Sequence, residues 1–327
     1  MALPLVACIP SPPPPSLLSD EPEIIGMSME LVEPGPLSVD LLPIPADRVQ
    51  SEALPGDRVR VTALAARRDG QLDLDALGAR WLLTRTLQLS NLELSPCDPS
   101  DPLGTVESCD AGVGASVEFL VPGIAADRDI YQQNVYTLVV VGLEVSTDEC
   151  VDRIRAGPER FSWDCMIGLR SVDLGPVPRL VAAMQQQGIP LDPQGELELP
   201  ELPDLPELPE LVPNFAPRTP WITLSRFGEV RRVWPGERVQ LPAGARFDLL
   251  AVEEGRDSQD YVLLGYDGEL LRGIENISRA WHATEPVVEF EVLAVPDDEV
   301  SFTIFVVTTD SRSSQTWVHF DFDVVPP

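Results

Sequence analysis

At 327 residues the chain is long enough for two hydrophobic cores, and 44% hydrophobic residues is a globular composition. Its 53 acidic and 23 basic residues give a net charge of −30, which excludes nucleic acid and anionic membrane surfaces as partners because no basic patch neutralises phosphates. Thirty-four prolines confine regular structure to the stretches between them, and no run of about 18 apolar residues marks a membrane-spanning helix.

The chain begins with Leu5-Val6-Ala7-Cys8. This tetrapeptide resembles the lipobox of bacterial lipoproteins, in which a signal peptide is cut just before a cysteine that is then lipidated. The resemblance implies lipidation of Cys8 and a place in the cell envelope, at the outer membrane or cell surface. Met1 to Ala7 has neither a basic n-region nor room for an apolar h-region. Either the true start lies upstream of Met1, or the match is chance. The Ile9-to-Ser16 stretch, with four consecutive prolines, and the acidic residues after it have a tether's composition, so residues 1–23 are expected to be start and disordered tether.

From Ile24 to residue 176, short alternating apolar runs between turn residues predict an all-β sandwich. Ile25–Val32 is a first strand, closed by Glu33-Pro34-Gly35-Pro36. Leu54-Pro55-Gly56-Asp57 is a turn feeding Arg58–Ala65, in which Val59, Val61, Ala63 and Ala65 face one way. Strands follow at 79–84, 116–121, 135–143 and 166–172, while Gly112-Val113-Gly114-Ala115-Ser116 is a loop. Cys97, Cys109, Cys150 and Cys165 fall in the connections and allow three pairings. Proximity favours Cys97 with Cys109 and Cys150 with Cys165. A four-cysteine zinc site is the rival, disfavoured by the lack of a Cys-x-x-Cys pair.

Residues 177–217 break the β pattern. Pro178 to Gly188 has the start and stop signals of a short helix. Residues 198–211 then read Glu-Leu-Pro-Glu-Leu-Pro-Asp-Leu-Pro-Glu-Leu-Pro-Glu-Leu, a three-residue period that matches one turn of polyproline II. Leucines, prolines and acids each line one edge. The expected role is a semi-rigid spacer; the sharper alternative is that the leucine edge docks in a groove.

Residues 218–327 repeat the β pattern, with strands expected at 221–225, 246–252, 261–266, 277–283, 287–295, 300–307 and 316–324. In the last, Val318, Phe320, Phe322 and Val324 point inward and His319, Asp321 and Asp323 outward. The order of turns and strands, with Trp81 on the third strand, resembles the immunoglobulin-like sandwich, although the core disulfide of that family has no counterpart. The whole resembles multi-domain surface lipoproteins of GC-rich bacteria, a bias that the use of arginine for all 23 cations also fits. The resemblance implies two immunoglobulin-like domains acting as a stalk or as an adhesion or protein-binding module.

Motifs for catalysis are missing: there are only two histidines and no His-Glu-x-x-His, Gly-x-Ser-x-Gly or P-loop pattern. The expectation is a protein that is not an enzyme and needs no cofactor. His319, Asp321 and Asp323 rise too far apart along one strand to close a metal shell, and His282 has no acid partner at useful spacing. Asp69, Asp73 and Asp75 are the calcium candidates, with Asp297-Asp298-Glu299 second, yet neither set has the spacing of a calcium loop. Among Trp221, Trp234, Trp281 and Trp317, one exposed ring would support sugar binding, so the alternative reading is a carbohydrate- or calcium-dependent binding module. Partners are expected at the cell surface, protein or glycan, with the membrane reached only through Cys8.

Overall fold

The computed structural model describes residues 16–35, 38, 48–54, 56–87, 94–104, 106–122, 135–157, 164–172, 213–252, 258–264, 270–289, 291–298 and 300–326. Cys8, the helix expected at 178–188 and the Glu-Leu-Pro repeat lie outside these residues. The described chain is all-β apart from one short helix.

After β1 (Ser16–Leu17) come β2 (Glu23–Glu33), β3 (Arg58–Arg67), β4 (Gly70–Gln71), β5 (Arg80–Thr84), β6 (Ser108–Val113), β7 (Ser116–Leu120), β8 (Val135–Gly142) and β9 (Cys165–Val172). One antiparallel sheet has β3 between β2 and β7, with β4 folding back on its end; the other runs β6-β5-β8-β9. The two sheets share one core, to which β3 gives Val59, Val61, Ala63 and Ala65, the face predicted from its alternation. Trp81 is fully buried there, and its indole N–H donates to Gly114 O at 2.8 Å.

Two features of this half differ from expectation. The glycine-rich 112–116 stretch ends one strand and starts the next, so only Gly114 and Ala115 turn the chain. The segment before Cys165 holds a helix, α1 (Thr147–Ala156), whose N-cap Ser146 accepts from Glu149 N–H and which buries Cys150, Val151 and Ile154. Both disulfides, Cys97–Cys109 and Cys150–Cys165, pair as proximity suggested. Each closes a loop worth about 3 kcal/mol on the chain-entropy estimate. A Cys150→Ser/Cys165→Ser variant should lose about that much in urea unfolding, and α1, which carries Cys150, should be the first element to exchange its amides. An unchanged midpoint would contradict this.

The C-terminal half contains β10 (Trp221–Arg226), β11 (Glu229–Val233), β12 (Arg238–Pro242), β13 (Arg246–Val252), β14 (Asp260–Leu264), β15 (Leu270–Ile274), β16 (Ile277–Ala283), β17 (Val288–Glu289), β18 (Val292–Ala294), β19 (Ser301–Asp310) and β20 (Gln315–Val325). Sheets ordered β1-β16-β19-β20-β12 and β11-β10-β13-β18-β17 pack through Ile222, Leu224, Leu249, Ile304, Phe320 and Phe322, while β14 and β15 form a separate hairpin. The single strand expected from Val287 to Val295 is a doubled-back pair, in which Val288 faces Leu293. Folding back lets Val287, Leu293 and Val295 enter one core.

The two halves meet along a seam. The outward face of β3 turns apolar at Leu64 and Ala66, which pack with Leu18, Phe305 and Val307 in a separate buried cluster. β19 is thus covered on both faces. Gly26 of β2 passes so close to β20 that a Cβ there would lie 3.3 Å from the Trp317 ring. Nearby, Met27 N–H donates to Gln315 Oε1 at 2.8 Å. The Ser51 and Ser314 hydroxyls bond to each other, and Asn214 Nδ2 donates to Ser314 Oγ at 2.7 Å.

Within the stretch expected as tether, Ser16–Leu17 pair in parallel with His282–Ala283 at the edge of β16, and Leu18 is 1% exposed. An open strand edge and an apolar pocket are what seat this segment. Ser16 Oγ lies 2.8 Å from His282 Nδ1, and burial holds the histidine below its ordinary pKa. The folded chain therefore disfavours the imidazolium, so this ring contributes stability above about pH 6.5 that is lost as pH falls through the depressed value. Between pH 7.5 and 5.5 the wild type should lose stability relative to His282→Gln in urea unfolding. Parallel pH profiles for the two proteins would contradict the assignment.

Candidate functional site

Alternation along β10 sends Ile222 and Leu224 into the core and leaves Trp221, Thr223 and Ser225 on the outer face. The hairpin to β11 turns on Phe227 and Gly228, both at positive φ, which fixes a register pairing Ile222 with Val233. One step further, Trp234 lies beside Trp221, their ring centroids 5.0 Å apart and tilted by 38°. Trp234 is 48% exposed, and the Arg232 guanidinium sits 5.9 Å from the Trp221 ring centre. Arginine over indole combines a favourable quadrupole contact with a charge still open to a ligand.

These rings form one wall of a cleft of about 510 Å³ at the seam, whose other walls are Met29 and Glu30 of β2, Arg48 and Val49, Ala216 to Thr219, and Gln315 with Thr316. The volume falls in the range of sites that take small ligands or peptide side chains, ~300–1,000 Å³. Its charges are unevenly satisfied. Glu30 accepts from Arg60 at 2.6 Å. Arg48 lies over the Phe215 ring at 5.4 Å, yet its Nε and Nη2 are buried with no acceptor among the described residues, and the same holds for the Trp221 indole N–H. Buried donors of this kind are costly, and with no accessible surface they are closed to the cleft, which presents the exposed face of Trp234 among its walls.

A larger cavity, about 690 Å³, lies between Asp20, Arg67, Asp69, Arg238, Glu285 and Asp321. Its three arginines are each in an ion pair: Arg67 with Asp69 and Arg68 with Glu285 within the lining, and Arg238 with Asp323, which does not line it. That leaves few unmet groups to recognise a ligand.

The other residues singled out in the sequence are placed as follows. Arg67 holds the Asp69 carboxyl below its ordinary value, Asp73 accepts from Ala76 N–H at 3.1 Å, and Asp75 accepts from Ala115 N–H at 2.7 Å. The three acids thus serve three different partners. Asp321 and Asp323 accept from Thr303 and Ser301 hydroxyls, His319 is exposed, and Asp297 and Asp298 are exposed before β19. Trp281 packs against the C-terminal core and Trp317 against the seam. Among the described residues, no three His, Cys, Asp or Glu side chains are grouped to hold a metal. The Trp221–Trp234 pairing was open to deduction, because a two-residue turn at Phe227–Gly228 fixes the register. Arg48 carried no local signal; its role comes from packing across the seam.

No family model matches the sequence, and no curated protein matches it. Among solved structures, the chain is similar to dimeric latent PorU from Porphyromonas gingivalis, at 10% identity and a TM-score of 0.20. The match covers 92% of this chain and 24% of that one, so the chain spans about a quarter of its length. A likeness this low carries no argument about fold or function.

Proposed function

We propose that the chain is a non-catalytic, surface-exposed binding protein of the bacterial cell envelope. In this reading two immunoglobulin-like sandwiches, 24–176 and 218–327, are anchored through a lipidated Cys8 and present the Trp221–Trp234 cleft to a partner. One observation carries the binding role: the half-exposed Trp234 ring, paired with Trp221 and flanked by Arg232, walls a cleft of about 510 Å³ at the seam. The division of strands between the β2-β3-β7 and β6-β5-β8-β9 sheets supports the immunoglobulin-like assignment. Two disulfides support an oxidising compartment.

A carbohydrate-binding role is the second reading, favoured by the exposed face of Trp234 beside Arg232. Asp69, Asp73 and Asp75 are read as turn-forming groups rather than calcium ligands; a rise in melting temperature with millimolar calcium would contradict that. Mass spectrometry of the N-terminal peptide from the host's membrane fraction tests the anchor. A diacyl or triacyl adduct on Cys8 is expected, and an unmodified Met1 on protein from the soluble fraction would overturn it.

A further inference from the structure

The β10–β11 hairpin stands clear of the core at its tip. Of β11 only Val233 is buried, while Glu229, Val230, Arg231 and Arg232 are all exposed. β11 is the edge strand of its sheet, paired among the described residues with β10 alone. Phe227 at the tip is 92% exposed and sits at φ 55°, a left-handed position that favours glycine or asparagine. Val230 is 66% exposed and Trp234 48%. Three large apolar side chains so close together along an open edge mark a contact surface.

Register decides which strand that edge accepts. In a two-residue hairpin the flanking pair, here Arg226 and Glu229, exchanges both backbone hydrogen bonds. Alternation then commits the N–H and C=O groups of Glu229, Arg231 and Val233 to β10 and points those of Val230 and Arg232 outward. A second copy of β11, laid antiparallel along the first, has the same outward groups to offer. Centring the pair on Val230 sets the two valines against each other and each Glu229 opposite an Arg231 of the second copy. The neighbouring registers set Glu229 against Glu229 or Arg231 against Arg231. Opposite charges directly across an antiparallel pair stabilise it and like charges destabilise it, so a single register is selected. We propose that the protein forms a two-fold dimer by antiparallel pairing of its β11 edges about Val230.

Charge places the contact here rather than elsewhere. A net charge of −30 makes two copies repel over most of their surface, but Arg226 to Arg246 holds five arginines and two glutamates. Glu229 makes no ion pair among the described residues. Arg231 pairs with Glu237 at 3.1 Å, yet its side chain stays 50% exposed, open to a second carboxylate. Phe227 lies three residues before Val230 and Trp234 four after it. In an antiparallel pair the Phe227 of one copy and the Trp234 of the other therefore come to the same end. The contact centres on the strand edge and does not rest on the reading of the cleft as a binding site.

Sedimentation equilibrium of the full chain at about 0.15 M salt, where screening limits long-range repulsion, is the test. A dimer that dissociates on dilution is expected, with exchange of the Val230 amide slowing as protein concentration rises. Glu229→Arg and Arg231→Glu should each weaken it at least ten-fold, since the two-fold repeats every change. The double reversal Glu229→Arg/Arg231→Glu should recover most of that loss. Val230→Pro removes an N–H that serves no bond within the monomer, so it should abolish the dimer while leaving the unfolding midpoint close to that of the wild type. The charge reversals keep the test decisive if Val230→Pro fails to fold. A chain still monomeric at millimolar concentration would overturn the proposal, as would a dimer indifferent to these variants. Single reversals that weaken the dimer without recovery in the double variant would rule out this register. Protection of the Val230 amide at every concentration would place another segment of the same chain on the edge, and that too overturns the dimer.

Discussion

Replacing Arg312 with alanine should cost about 3–5 kcal/mol at neutral pH, the range for stripping one partner from a buried ion pair. Arg312 is 13% exposed and Glu275 1%. Its Nε donates to Glu275 Oε1 at 2.6 Å and its Nη2 to Gln259 Oε1 at 2.9 Å. Nη1 lies 3.8 Å from Glu52 across the seam, and the guanidinium sits 5.0 Å from the Tyr261 ring centre. Without it, Glu275 is left as a buried carboxylate whose pKa burial already raises against the pull of Arg312. A raised acid binds its proton more readily in the folded state. Stability therefore falls as pH rises from about 4.5 through the raised value, and the variant's deficit should grow with pH across that window. Urea unfolding at pH 5 and pH 7.5 measures it. The double variant Arg312→Met/Glu275→Leu should recover most of the loss. A double variant no better than the single one would contradict this account of the pair.

Trp81→Ala should cost about 3–5 kcal/mol by opening a cavity between the two N-terminal sheets. The ring is fully buried among Val61, Leu83 and Val139, and its N–H satisfies Gly114 O. Trp81→Phe keeps most of the volume but strands that carbonyl, so a loss of about 1–3 kcal/mol is expected. Denaturant unfolding of both variants, followed by far-UV circular dichroism, gives the order. A phenylalanine variant as unstable as the alanine one would place the main effect in the hydrogen bond rather than in packing.

Trp81 and the face of β3 were legible from sequence because a half-buried strand writes its orientation in period two. The disulfide pairs were legible because short loops close most readily. Other features were present in the sequence but needed a different rule. Ser146 followed by Glu149 is a capping pair that announces α1, although its acids and arginines resemble a loop. The run Ile304-Phe305-Val306-Val307 is apolar on both faces, the mark of a strand covered twice. That run, more than any motif, signalled the seam. Arg48 left no such trace. It lies over the Phe215 ring and lines a cleft with Met29 and Gln315 from two further stretches, and no local period encodes a convergence of that kind.

The cleft exists only because the two halves are locked together, and hydrogen exchange of the full chain measures that lock directly. Amides of Leu18, Ser51, Ala216 and Met27, all bonded across the seam, should be protected together and released only with the sheet cores. Rapid exchange at these positions while β8 and β19 stay protected would mean that the halves move independently, and that the Trp221–Trp234–Arg48 cleft is not a preformed site.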